Sequence, residues 1–112
     1  MSERTVISKK LIDNLTALDT TGTTLGPSYC SQAREWTFTV VFRTGTTAGA
    51  VMIEAAHDAD FTGTWAQQGS TVTWAAANRA HTVSITGSFL ALRARISTVI
   101  TGGGVDVYVV AT

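Results

Sequence analysis

Two imidazoles, His57 and His81, and a single thiol, Cys30, are the groups in this 112-residue chain that could form a nucleophile–base pair or a transition-metal site. That chemistry needs the partners within hydrogen-bond reach or at metal-ligand spacing, and no local spacing here resembles a zinc motif. The plain reading is one surface histidine at a strand end and one histidine inside a strand. Glu54, Asp58 and Asp60 are close in sequence and could offer oxygens to calcium, which takes about six or more. Asp58-Ala59-Asp60 lacks the further ligands and the glycine of a calcium loop, and acidic turn residues often simply accept bonds from nearby backbone amides. Gly102-Gly103-Gly104 would suit a phosphate only if a helix start or a lysine followed; neither does, so it reads as a flexible turn. The expectation is a chain with no catalytic residue, no metal and no cofactor, and not an enzyme.

Other residues could bind rather than react. Tryptophans aligned on a sheet face can stack on sugar rings, but Trp36 and Trp74 fall on the apolar registers of their strands and are expected in the core. Trp65, in a short polar strand, is left open between core and surface. Arg93 and Arg95 share one face of a long strand, where arginines are usually solvated; in an interface they would serve as bidentate anchors.

The elements that must position these residues are strands. Trp36 to Arg43 alternates strictly, with Trp36, Phe38, Val40 and Phe42 on one face and Thr37, Thr39, Val41 and Arg43 on the other. Further strands are expected at Ala50–Ala56, Thr64–Gln68, Thr71–Trp74, Ala80–Thr86, Phe89–Val99 and Val105–Ala111, after a first at Glu35–Thr44, with Gly-rich or polar turns between them. In this reading Met52 and Glu54 point outward, Leu90, Leu92, Ala94 and Ile96 share an inward face, and Gly69-Ser70 is a turn. The fold class is all-β, an antiparallel β-sandwich of jelly-roll or immunoglobulin-like topology. Val105–Val110 carries one charge and no proline, so it must be central or paired across an interface.

Residues 1–31 have a different texture and are expected to form an extended arm, with the sandwich domain at 32–112. Leu11, Leu15 and Leu18 have helical spacing, but Asp13-Asn14 and Thr16 weaken a helix there. Hydrophobic residues make up 45% and charged residues 14%, which argues against disorder and for apolar surface meeting another protein. Lys plus Arg equal Asp plus Glu at 8 each, so the electrostatic footprint of a nucleic-acid partner is missing. No segment approaches a membrane-spanning length or a signal-peptide pattern, and one cysteine cannot form an internal disulfide; a soluble, unprocessed protein of the cytoplasm is expected.

Val51-x-Ile53-Glu54-x-Ala56-x-Asp58, Thr64-Trp65, Leu90-x-Leu92-Arg93-Ala94-Arg95-Ile96 and the Gly-rich turn before Val105-Asp106-Val107-Tyr108 together resemble small virion proteins of tailed bacteriophages. The similarity spans about Arg34 to Thr112 and is greatest to the capsid decoration proteins, cements or staples, of short-tailed phages. Ala56 stands where that pattern commonly has Ser, and Ala59 where it has Gly. The resemblance implies a jelly-roll-like sandwich whose arm locks neighbouring major capsid protein subunits. It also implies a homo-oligomer, dimer or trimer, made in the host cytoplasm and carried on the capsid surface of the virion. Partner-binding residues would then be Arg4, Ile7, Leu11, Leu15 and Leu18 of the arm, with Thr37, Thr39, Arg93 and Arg95 on the outward face. The alternative is a carbohydrate-binding or host-adhesion module of a head or tail fibre, which needs at least two exposed tryptophans.

Overall fold

In the computed structural model the described residues are 6–56, 63–76 and 79–112. Arg4, His57, Asp58 and Asp60 lie outside them. Among the described residues there are seven strands, β1 (Ile7–Leu15), β2 (Glu35–Phe42), β3 (Ala48–Ala56), β4 (Ala66–Thr73), β5 (Ala80–Thr86), β6 (Ala91–Thr101) and β7 (Val105–Ala111), with one helical turn, α1 (Pro27–Cys30). They form two antiparallel sheets, a four-stranded one in the order β1-β7-β2-β5 and a three-stranded one in the order β4-β3-β6. This is the expected all-β sandwich.

Its centre follows from alternation. Trp36, Phe38, Val40 and Phe42 on β2 and Val105, Val107 and Val109 on β7 face Val51, Ile53 and Ala55 on β3 and Leu92, Ala94 and Ile96 on β6, all fully or almost fully buried. Each large apolar side chain so buried contributes roughly 1.5–3 kcal/mol. β5 and β7 have the bounds read from the sequence. Leu90, expected inward, lies before β6 begins and is exposed.

Two strands expected separately are one. Thr64–Gln68 and Thr71–Trp74 merge into β4, and Gly69-Ser70 is not a turn but an irregularity within it, marked by the register shift between Val51 and Ile53 on its neighbour. Gly69 takes φ +71, and a Cβ there would come within 2.7 Å of Val83 Cγ1. The glycine therefore lets β4 bend beneath β5 without leaving its sheet.

The larger correction concerns the arm. Residues 7–15 form no helix and do not extend away; they pair with β7 from Ile7↔Ala111 to Leu15↔Val105. An extra residue between Lys10↔Tyr108 and Ile12↔Val107 lets two consecutive residues, Leu11 and Ile12, turn inward, and both are buried. The next segment crosses to the other sheet. Ile100 N–H donates to Thr16 O, Asp19 N–H to Ile96 O, Ile96 N–H to Thr20 O, and Leu25 and Leu92 exchange both bonds, at 2.8–3.0 Å. This strap occupies the open margin of β6 and ends on Leu25, which is fully buried, before α1 seats Cys30 beside it. The sequence reading missed this because a bulged strand and an irregular strap leave no period.

Removing residues 1–31 is accordingly expected to abolish cooperative unfolding, because it uncovers β7 and β6 together. A thermal melt of the truncated chain matching the intact one would show that the segment is not part of the body. Leu25→Ala is expected to cost about 2–5 kcal/mol in chemical denaturation, and a loss under about 1 kcal/mol would contradict the packing of the strap.

Candidate functional site

The outward face of the four-stranded sheet can be written out from its registers. One row across the strands is Ser8, Val110, Thr37 and Ser84, and the next is Lys10, Tyr108, Thr39 and Thr82. Among these eight, Thr39 is half-buried and the others are exposed, Tyr108 at 40% and Val110 at 47%. The only charge is Lys10, whose ammonium lies 5.3 Å from the Tyr108 ring centroid. The surface is broad and made of hydroxyl, β-branched and aromatic groups, a composition suited to contact.

At one end of this face the charges gather into a clamp. Asp106 sits on the outward register yet is buried, because Arg43 Nε donates to its Oδ2 at 2.9 Å and Arg43 Nη2 to its Oδ1 at 3.0 Å. The second register shift of β1, where Asn14 takes φ 53, aims the Asn14 N–H at Oδ1, 2.9 Å away. Lys10 bridges Asp13 at 2.8 Å and Asp106 at 3.4 Å. Burial pushes the Asp106 carboxyl up, but hydrogen bonds from Arg43, the Asn14 amide and Lys10 outweigh it and hold the group below its usual value.

A second polar set lies on the other sheet. Glu54, expected to point freely outward, is buried under Arg93 and Arg95, whose Nε atoms donate to its Oε1 at 3.0 and 3.1 Å. Arg95 also reaches Asp19 Oδ1 at 2.7 Å, tying the strap to β6. Its hydrogen bond to Glu54 is the main reason its guanidinium is held above its usual value. The Arg93 guanidinium stacks 3.9 Å from the Trp65 ring centroid.

The residues proposed for partner contact are thus scattered. Ile7 and Leu11 are core, Leu15 packs against it, and Leu18 is exposed beside β6. Thr37 and Thr39 are on one layer, Arg93 and Arg95 on the opposite one, so they share no face. Both arginines are engaged by Glu54 rather than presented as anchors. Sequence reasoning missed Tyr108 and Val110, although their place opposite Thr39 and Thr37 completes the contact rows. Among residues weighed for chemistry, Cys30 lies against Leu25 on the β6 side while His81 is on β5. Burial pushes the Cys30 thiol up to about 11, which leaves it protonated at neutral pH. Among the described residues no group of three or more His, Cys, Asp or Glu could hold a metal ion. Trp36 is buried and Trp74 packs partly buried against the core.

Because the folded carboxyl of Asp106 titrates below the unfolded one, its contribution is fully present above about pH 4 and disappears as the pH falls through the folded value. Asp106→Asn is expected to lower the urea midpoint at pH 7 and to flatten the loss of stability as the pH is lowered below about 4. Urea titrations across that window check this, and an unchanged acid slope would assign the transition to another carboxylate.

No protein-family profile matches the chain, and no curated protein sequence matches it. Solved structures do. The SPBc2 prophage-derived protein YomS aligns over 99% of this chain and 96% of its own, with TM-score 0.65 and 10% identity. The PBSX exported protein XepA aligns over 99% of this chain, TM-score 0.67 and 13% identity, and this chain spans 39% of it. A chain of the equine rhinitis A virus particle, a picornavirus capsid, aligns over 92% of this chain and 66% of its own, with TM-score 0.54 and 13% identity. At such identities the likeness is one of fold, and that fold is a small antiparallel sandwich found in prophage-encoded proteins and in a viral shell.

Proposed function

We propose that this protein is a structural component of a bacteriophage virion that binds the outside of the capsid and cements neighbouring major capsid protein subunits. It works by adhesion and not by catalysis. The observation that carries this reading is the outward face of the four-stranded sheet, where Tyr108, Val110, Thr37, Ser84 and Thr82 form a continuous exposed surface with Lys10 as its single charge. A capsid repeats one shallow site many times, so each contact need only be modest for the assembly to be strengthened. The fold shared with prophage-encoded proteins and with a picornavirus capsid chain supports the same reading.

The folded N-terminal segment alters the mechanism that the resemblance suggested. A cement that adheres by a rigid face needs no free arm, and the ordering cost that an arm would bring on binding is absent for residues 7–31. The fibre-type sugar-binding alternative called for at least two exposed tryptophans, and none of the three is exposed: Trp36 is core, Trp74 packs partly buried against the core, and Trp65 is half-buried with Arg93 stacked on its ring.

The direct test mixes the purified protein with capsids that lack it and images the particles. Density at repeating positions is expected. Thr37→Lys and Val110→Lys, both at exposed sites, should leave the melting temperature nearly unchanged while weakening occupancy about tenfold or more. Full occupancy by both variants would move the contact to another surface, and bare capsids with the unaltered protein would end the cementing proposal.

A further inference from the structure

Three of the four sheet margins carry a device that blocks pairing. The margin of β6 is hydrogen-bonded by the strap from Thr16 to Leu25. β1 carries Lys9, Lys10 and Asp13 and two register shifts. β4 is kinked at Gly69. Such charges, bulges and covers are how sheet proteins keep their margins from joining. Among the described residues, no such device is found at β5. Ala80–Thr86 contains no Asp, Glu, Lys, Arg or Pro, and it pairs with β2 at all seven positions without a shift.

The direction of its backbone groups follows from two bonds that flank it. Phe42 N–H donates to Arg79 O and Gly87 N–H to Arg34 O, each at 2.8 Å. In an antiparallel ladder this phase turns the odd-numbered backbone groups toward β2 and the even-numbered ones toward the outside; Ala80 among these is already engaged, which leaves Thr82, Ser84 and Thr86. All three residues are exposed, and among the described residues no strand pairs there. β4 does not fill the place, because Gly69 lies against Val83 on the inner side of the sheet.

We propose that this margin pairs antiparallel with the same margin of a second copy of the chain, about a two-fold axis near Val83, so that two four-stranded sheets become one of eight strands. The strand is self-complementary in that register. Thr82 falls opposite Ser84 of the second copy as a hydrogen-bonded pair, and Val83 falls opposite its equivalent on the core side. With no Asp, Glu, Lys or Arg on the strand, no such side chains of identical copies oppose one another, and a two-fold contact closes without leaving a margin open to growth. The Ser and Thr rows of the outward face continue across the axis, which doubles the contact face. The pairing does not depend on the virion reading, and either can fail alone.

Sedimentation equilibrium and backbone amide exchange on the intact protein test it. A reversible dimer is expected, with the Thr82 and Ser84 amides slowing as it fills. Ser84→Pro removes an outward N–H without touching the β2 ladder, and Ser84→Lys places a charge on the margin. Each is expected to raise the dissociation constant about tenfold or more. If the proline variant does not fold, the lysine variant decides. A monomer up to about 1 mM, a dimer unmoved by folded variants, or a dimer whose Thr82 and Ser84 amides exchange freely would overturn the proposal. So would images showing a capsid segment, and not a second copy, lying along β5.

Discussion

β7 has to be covered on both sides, and the architecture answers to that need. Its inner register, Val105, Val107 and Val109, is fully buried, and the strand lies between β1 and β2 in the four-stranded sheet. A strand so rich in valine and so poor in charge pairs with whatever presents an extended backbone. The chain supplies both partners itself. β2 comes from the strongly alternating run that starts at Glu35, and β1 from the N-terminal segment, which in doing so ceases to be an arm. The continuation of β1 then protects the other sheet at β6. One stretch of about twenty residues thus serves two margins, as short strands with open margins require.

Charge placement follows the same logic. Asp106 and Glu54 lie on outward registers of central strands, where a bare carboxylate facing water would be unremarkable. Instead each is buried beneath arginines from neighbouring strands, Arg43 over one and Arg93 with Arg95 over the other. Removing one partner from such a set leaves a partly desolvated charge uncompensated, which is destabilising. These clamps also tie the N-terminal segment down, through Asn14 and Lys10 to Asp106 and through Asp19 to Arg95. With the charges drawn into clamps, the middle rows of the four-stranded face remain hydroxylic and apolar. The adhesive surface and the clamps are two consequences of one distribution of a small number of ionic groups.

Much was legible in advance. Period-two alternation marked β2, β3, β5, β6 and β7, and the shared face of Trp36, Phe38, Val40 and Phe42 and the inward assignment of Leu92, Ala94 and Ile96 agree with their burial. What escaped was bulged or irregular. β1 reads as neither strand nor helix because its extra residues break the period, and Gly69-Ser70 has turn chemistry although the strand only kinks there and continues. The candidate contact residues fared less well, since facing direction along a strand is a local property and membership of one surface is not. Thr37 and Arg93 both point outward, from opposite layers.

The amino-acid order by itself determined the local facts: which segments are extended, which side of each is greasy, and that the last strand could not be left uncovered. These depend on neighbours two residues away. Only the tertiary structure decided which strands lie side by side, that the leading segment closes the sandwich, and that the outward acids are buried under arginines. Those outcomes depend on contacts between residues far apart in the chain, where many pairings share one hydrophobic pattern and the summed packing and hydrogen bonding selects among them.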